Sequence, residues 1–142
     1  MKSTASAVWE GGLKDGKGRL TAGSGIFNDT PYTFARRFEG SGAGTTPEEL
    51  IASAHSGCYA MALSGELGRA GFPPQRLTVR ATVTIEPVDG KATISSSALE
   101  LEGVVPVIDA AKFQEAAANA KANCPVSRLL NTNITLTAKL AG

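Results

Sequence analysis

The chain has only two cysteines and one histidine among its 142 residues. Structural zinc sites of the finger or ribbon type need four cysteine and histidine ligands, so this composition excludes them. Two cysteines also cannot build the multiple bridges of a small disulfide-rich protein. A chain of this length can bury a sizeable core without such cross-links. The sequence therefore predicts a single globular domain over residues 1–142 that needs neither a metal nor a disulfide to fold.

The chain also lacks a strong excess of charge of either sign. It has 14 Lys and Arg against 13 Asp and Glu, a formal net charge of +1. This balance gives no reason to expect nucleic acid or an anionic membrane as a partner. Charged residues make up 19% of the chain, against about 25% in typical soluble domains. Some part of the chain must therefore be buried more completely than usual.

Long apolar runs are absent. Residues 1–12 lack the apolar run of about 7–15 residues found in signal peptides, and no segment approaches the roughly 20 apolar residues of a membrane span. We therefore expect a cytoplasmic protein. Cysteines stay reduced in that compartment unless their redox chemistry is the function.

Alternating apolar and polar residues, separated by turn-forming clusters, predict strands in both halves of the chain. The predicted strands are residues 7–9, 18–22, 32–39, 77–86, 92–102 and 133–140. Helices are predicted over 45–70 and over 110–122, the second capped by Asp109, and a short helical turn follows Pro125. This order predicts an α+β fold, with antiparallel sheets around a long helix, rather than an array of βαβ units.

The first helix has clear boundary signals and an unusual composition. Thr46 suits the N-cap, Pro47 the first helical position and Glu49 the third position of a capping box. From Leu50 to Gly65 the helix carries no charged residue, which is typical of a helix buried nearly all round. Small residues at helical spacing would let another backbone approach: Ala54, Cys58, Ala62 and Gly65. The helix is therefore expected to be wrapped by sheet or shared with a second subunit.

The two cysteines stand at contrasting positions. Cys58 lies midway along the helix, where a free cysteine most often serves as a small core residue. Cys124 directly precedes Pro125, at or next to the start of the short helical turn, where free backbone N–H groups lower a thiol pKa. A residue that only fills the core does not need that position. The two thiols are therefore a plausible redox pair, although nothing in the sequence itself brings them together.

A reactive thiolate needs a positive partner, because a free thiol is mostly protonated at neutral pH. Alternation along a strand would direct one of Arg36 and Arg37 inward. An inward arginine would need a carboxylate, and Glu48 or Glu49 is near in sequence. The alternative is that both arginines are solvated strand residues.

His55 precedes Cys58 by one helical turn, which raises the possibility of a cysteine hydrolase. No Asn or Asp is evidently placed to orient this histidine, so a packing or polar-contact role for His55 is favoured.

Two segments of the chain resemble the cysteine motifs of the OsmC/Ohr family of thiol peroxidases, and of its OsmC branch in particular. They are Gly44–Tyr59, GTTPEELIASAHSGCY, and Asn123–Ser127, NCPVS. Supporting stretches are residues 9–11, 31–34, 37–40 and 66–72, so the resemblance covers nearly the whole chain. It implies an intertwined homodimer that reduces hydroperoxides, organic ones in preference to hydrogen peroxide, in oxidative or osmotic stress.

The resemblance also implies roles for individual residues. The family's attacking cysteine falls on Cys58 and its resolving cysteine on Cys124, so that a sulfenic acid on Cys58 is converted to a Cys58–Cys124 disulfide. The catalytic glutamate falls on Glu48, with Glu49 the weaker choice. A dithiol of the lipoyl type would reduce the disulfide, and no metal, haem or flavin is required.

The catalytic arginine implied by the resemblance is Arg37, in Arg37-Phe38-Glu39-Gly40. Arg36 and Arg19 are lesser candidates. In this scheme Arg37, oriented by Glu48, holds Cys58 as a thiolate.

Helix geometry constrains where this site can form. Ten residues at about 1.5 Å each place Glu48 roughly 15 Å along the axis from Cys58. Either the helix breaks after its cap, or Glu48 reaches Cys58 of a second subunit. The small-residue helix favours the second arrangement, with two sites at a dimer interface. A cysteine-dependent hydrolase and a non-enzymatic protein that binds an apolar ligand are the alternative functions.

Overall fold

A computed structural model describes all of residues 1–142. The chain divides into two compact units, Met1–Leu50 and Ile51–Gly142. No helix of the structure is both long and apolar enough to cross a membrane. That residues 1–142 form a single domain stays a prediction.

The first unit is built on a three-stranded antiparallel sheet. Its strands are β1, Ala5–Glu10, β2, Lys17–Ala22, and β3, Thr30–Tyr32, in that order. The central strand β2 pairs with both neighbours, so that Gly18 lies opposite Trp9 on one side and Tyr32 on the other.

The predicted strand over residues 32–39 is wrong beyond Tyr32. Residues Ala35–Glu39 instead form a single π-helical turn. Thr33 starts this turn, because its side-chain oxygen accepts from the Arg36 N–H at 3.1 Å and its carbonyl accepts from the Arg37 N–H at 3.1 Å. Gly40, with φ of 68°, ends the turn in the left-handed region that glycine tolerates best. The two hydrogen bonds to Thr33 therefore override the alternating pattern.

The long helix α1, Pro47–Arg69, runs without a break. The Thr46 hydroxyl accepts from the Glu49 N–H at 3.1 Å, as an N-cap does. At the other end Gly71 adopts a φ of 87°, and the Phe72 N–H returns to the Leu67 carbonyl at 2.8 Å. The predicted helix and both of its boundary signals are confirmed, and the possibility that the helix breaks after its cap is excluded.

The second unit contains a mixed sheet rather than a purely antiparallel one. Strands β4, Arg76–Val88, and β5, Lys91–Val104, form an antiparallel hairpin, and β6, Asn133–Ala141, pairs in parallel with β5. Helices α2, Ala110–Asn123, and α3, Pro125–Leu129, connect β5 to β6. A helical crossover returns the chain to the same end of the sheet, so β6 must run parallel to β5. The α+β prediction holds, but this one βαβ crossover corrects the expectation of antiparallel sheets only.

One face of α1 forms the core of the second unit. Tyr59, Leu63 and Leu67 are fully buried there, together with Phe113 of α2. Phe113 packs closely against β5, where a Cβ added at Gly103 would lie 2.7 Å from the ring. The opposite face of α1 is exposed and uncharged: Ala54, Gly57, Met61, Ser64 and Gly68. The expectation that sheet wraps the helix all round is therefore wrong for a single chain.

Candidate active site

Cys58 and Cys124 meet in the second unit. Both are free thiols, and the Cys58 thiol is within hydrogen-bonding distance of the Cys124 thiol. Cys58 is presented by the middle of α1, and Cys124 lies at the junction between α2 and α3. Cys124 is fully buried, whereas Cys58 is half-buried. The tertiary structure thus brings together the two cysteines that the sequence could only suggest as a pair.

Cys124 caps α3 as predicted, but its thiol does not receive the helix N–H groups. The side chain of Cys124 makes no capping hydrogen bond. Pro125 at the first helical position has no N–H, and the next free donor, the Val126 N–H, is directed at the Cys58 sulfur. The start of α3 therefore donates a hydrogen bond to Cys58 and not to Cys124. The prediction that the N–H groups of this helix end act on Cys124 is wrong.

Burial is the largest influence on the pKa of the Cys58 thiol. It raises the pKa above the ordinary value for cysteine, and the neighbouring Cys124 thiol raises it further. The hydrogen bond from the Val126 N–H acts in the opposite direction and lowers the pKa. Burial outweighs this hydrogen bond, so Cys58 in the isolated chain is a protonated thiol at neutral pH. A cation beside the sulfur would be needed to make the thiolate dominant.

The sulfur of Cys58 borders an open groove. This groove has a volume of about 290 Å³ and lies between the exposed side of α1 and the end of α2. Met61 and Ala62 of α1 line it on one side, and Asn123 and Pro125 on the other. A small molecule can therefore reach Cys58 while Cys124 stays buried behind it.

Arg37 and Glu48 form an ion pair within the first unit. The Arg37 guanidinium donates to the Glu48 carboxylate from Nη2 at 2.7 Å and from Nε at 3.1 Å. Arg37 comes from the π-helical turn and Glu48 from the first turn of α1. Glu48 is only 6% exposed, so the arginine is held in a fixed orientation by a buried carboxylate. The alternative that Arg37 is a solvated strand arginine is wrong.

The two lesser arginine candidates do not reach Glu48. Arg19 is half-exposed on β2 and pairs with Glu10 at 3.0 Å and with Asp29 at 3.8 Å. Arg36 buries its Nε atom without a hydrogen-bond partner. Of the three arginines, only Arg37 is oriented by Glu48.

A cavity lined by aromatic rings lies beside Arg37. It has a volume of about 260 Å³, and its lining residues are Trp9, Leu13, Tyr32, Thr33, Phe34, Arg37 and Phe38. The Arg37 guanidinium lies 5.1 Å from the centre of the Phe38 ring. The walls are apolar and carry one cation.

Sequence reasoning missed this aromatic cavity. The available signal was the concentration of five of the chain's eight aromatic residues in the first 38 positions.

His55 is a buried polar contact and not a partner of Cys58. Its Nδ1 lies 2.7 Å from the Ser97 hydroxyl and its Nε2 lies 2.8 Å from the Ser127 hydroxyl. All three residues are buried. Both ring nitrogens are thus occupied by serines, so the cysteine–histidine dyad of a hydrolase is not formed and the favoured interpretation of His55 is confirmed. Burial lowers the pKa of His55, which keeps the ring neutral.

We expect the lowered pKa of His55 to make folding stability depend on pH. Unfolded chains protonate histidine near pH 6.5, whereas the folded chain resists protonation until a lower pH. The unfolded state binds more protons in that interval, so the free energy of unfolding should fall as pH drops below about 6.5, by up to about 1.4 kcal/mol per pH unit. Urea unfolding at pH 7 and pH 5 would measure this loss. The variant His55→Gln should lose less stability over the same interval, and an equal loss would contradict the prediction.

The chain is similar to known proteins over most of its length. The model of the OsmC-like protein family matches residues 40–139. Peroxiredoxin OsmC of Escherichia coli strain K12 is 48% identical over 130 residues, which cover 92% of this chain and 90% of that protein.

Solved structures share the fold. The organic hydroperoxide resistance protein OhrB of Bacillus subtilis superposes with a TM-score of 0.73 at 23% identity, covering 97% of this chain and 98% of that one. The OsmC-like protein of Mycoplasma pneumoniae superposes with a TM-score of 0.75 at 17% identity, covering 100% and 99%. The match to the family model and the close relative together establish that this chain belongs to the OsmC family.

Proposed function

We propose that this protein is a thiol peroxidase that reduces hydroperoxides to alcohols. The Cys58 thiolate attacks the outer peroxide oxygen, the O–O bond breaks, and the alkoxide leaves as an alcohol after taking up a proton. Cys58 is thereby oxidised to a sulfenic acid. The Cys124 thiol then attacks the Cys58 sulfur, and a disulfide and water are formed. The observation that carries this proposal is the contact between the thiols of Cys58 and Cys124.

The fixed arginine of the first unit supplies the cation that Cys58 lacks. Arg37, oriented by Glu48, would lower the pKa of Cys58 against the effect of burial. Because α1 is unbroken, Glu48 lies roughly 15 Å along the axis from Cys58 of its own chain. We therefore assign the Arg37–Glu48 pair to Cys58 of a second copy.

A homodimer follows from this assignment. The exposed face of α1 carries no charge, and apart from Met61 its side chains are small, as at Ala54, Gly57 and Ser64. A second copy of α1 could pack against that face at close range. A two-fold axis at this face would create two equivalent sites. Each chain would place its Arg37–Glu48 pair beside Cys58 of the partner subunit and would receive the partner's pair beside its own Cys58.

The cavity beside Arg37 favours organic hydroperoxides. Its aromatic walls would bury an alkyl or aryl group, and the guanidinium would face the polar peroxide end. Hydrogen peroxide has no apolar group to bury and gains nothing from these walls. The preference for organic substrates is therefore a matter of binding energy rather than of the thiol chemistry.

The resulting disulfide must be reduced by an external thiol compound. Cys124 is fully buried, whereas Cys58 borders the open groove, so a dithiol would attack the Cys58 sulfur first. A lipoyl-type dithiol fits this requirement, because its second thiol can release the mixed disulfide. Such a cycle belongs in a compartment that maintains reduced dithiols, the cytoplasm.

Titration of the reduced protein with one equivalent of cumene hydroperoxide tests the proposal. Intact mass spectrometry should show the loss of two hydrogens, and peptide mapping should find the Cys58–Cys124 bridge. One equivalent of cumyl alcohol should appear in the same sample. An unchanged mass after complete mixing would overturn the peroxidase assignment, and an acyl adduct on Cys58 from an ester probe would favour the hydrolase instead.

A further inference from the structure

The position of helix α3 determines where Cys124 and the Val126 N–H lie, yet α3 is too short to be stable on its own. It has only five residues, Pro125–Leu129. Isolated helices of this length are unstable in water, so the position of α3 depends on tertiary contacts. The contacts that fix α3 therefore also fix the two groups that face the Cys58 sulfur.

One of these contacts is the hydrogen bond between His55 and Ser127. Ser127 is the third residue of α3, and its hydroxyl lies 2.8 Å from His55 Nε2. The opposite ring nitrogen of His55 lies 2.7 Å from the Ser97 hydroxyl on β5. The exposed fractions of the three residues are 0% for His55, 0% for Ser97 and 8% for Ser127. Breaking a bond in such a site leaves a polar group without water, so the link is costly to open.

The histidine link and the reacting sulfurs join the same two helices. His55 and Cys58 are three residues apart on α1 and therefore lie on one side of it. Ser127 of α3 likewise lies three residues after Cys124, the N-cap of that helix. The two helices thus touch at two adjacent points, His55 with Ser127 and Cys58 with Cys124. A shift of α3 that breaks the first contact would also move the second.

We propose that His55, acting through Ser127, is a positioning residue that holds Cys124 against Cys58 so that the disulfide closes before the sulfenic acid is oxidised further. This inference rests on the proposed peroxidase function, since a sulfenic acid must form for the closing step to matter. The step itself joins the Cys124 sulfur to the Cys58 sulfur and releases water. A second hydroperoxide molecule competes with this step by oxidising the sulfenic acid to a sulfinic acid.

The variant Ser127→Ala tests the proposal, because it removes one hydroxyl and leaves both cysteines in place. Tyr59→Phe is the matched control. The Tyr59 hydroxyl donates to the Ala117 carbonyl at 3.0 Å, a buried bond from α1 to α2 that does not touch α3. Both variants lose one buried hydrogen bond of α1, so their folds should be weakened similarly. The variant His55→Gln is the conservative substitution of the positioning residue itself, since its amide can still reach Ser127.

Each protein is treated with a tenfold excess of cumene hydroperoxide, and the disulfide and sulfinic forms are counted by intact mass. Disulfide closure in Ser127→Ala should be about three- to tenfold slower than in the parent, and the sulfinic fraction should rise accordingly. Tyr59→Phe should resemble the parent, and His55→Gln should lie between the parent and Ser127→Ala. Equal sulfinic fractions in Ser127→Ala and Tyr59→Phe would overturn the positioning role.

A second measurement separates this inference from the proposed function. Oxidised dithiothreitol closes the Cys58–Cys124 bridge by thiol–disulfide exchange, without any peroxide chemistry. If the parent closes with this reagent but not with hydroperoxide, the peroxidase proposal fails, while Ser127→Ala and Tyr59→Phe can still be compared. Slower closure in Ser127→Ala alone supports the positioning role, and equal closure rates contradict it.

Discussion

Replacing Cys58 with serine is expected to lower the rate of hydroperoxide reduction by at least about a thousandfold, because the step requires a sulfur nucleophile. A serine hydroxyl stays protonated at neutral pH and does not attack a peroxide oxygen. Consumption of cumene hydroperoxide in the presence of a dithiol would measure the loss. Cys58 is half-buried beside the groove, so the slightly smaller oxygen should leave the fold intact.

Cys124→Ser is the informative control for that experiment. This variant retains Cys58 and should still consume its first equivalent of hydroperoxide. It cannot close the disulfide, so a sulfenic and then a sulfinic acid should accumulate on Cys58. If Cys58→Ser kept its full rate and Cys124→Ser lost it, the roles assigned to the two cysteines would be reversed.

The second large effect is expected for Arg37. A cation about 4 Å from a thiolate stabilises it by about 4 kcal/mol at an effective dielectric constant of about 20. Replacing Arg37 with glutamine removes this charge but retains a hydrogen-bond donor for the buried Glu48. We expect the rate at pH 7 to fall about a hundredfold, with partial recovery at higher pH as the Cys58 thiol ionises. The pH profile of the peroxidase rate would show both effects.

Mixed dimers decide which subunit supplies Arg37. A heterodimer of one Arg37→Gln chain and one Cys58→Ser chain can be isolated with two different affinity tags. If Arg37 acts across the two-fold axis, one of its two sites has both native residues, and the heterodimer should show about half of the parent activity. If Arg37 acts within its own chain, neither site is intact, and activity should be about half that of the Arg37→Gln dimer, because only one of the two chains keeps Cys58.

A matched arginine variant controls for the loss of charge. Arg19 forms exposed ion pairs with Glu10 and Asp29, and exposed pairs contribute little to stability. The variant Arg19→Gln should therefore keep the parent rate. A hundredfold loss in Arg19→Gln together with a normal rate in Arg37→Gln would transfer the catalytic role to Arg19.

Sequence reasoning succeeded where the signals were local. Thr46, Pro47 and Gly71 delimit α1, Asp109 caps α2, and each acts through backbone groups a few residues away. The same kind of reasoning failed at residues 32–39. There the alternating pattern was real, but hydrogen bonds to Thr33 produced a π-helical turn instead of a strand. The turn still orients Arg37 toward Glu48, so the residue was predicted for the wrong structural reason.

The sequence by itself determined the long helix with its uncharged stretch from Leu50 to Gly65, the cap at Cys124 and the residue types of the site. Tertiary structure decided which groups meet: Cys58 with Cys124, the Val126 N–H with Cys58, and His55 with Ser127 at a separation of 72 residues. It also decided that β6 lies parallel to β5. The physical reason is range: caps and glycines act within one or two turns of the chain. Which sulfur receives a distant N–H depends on how helices and sheet pack to exclude water from the core.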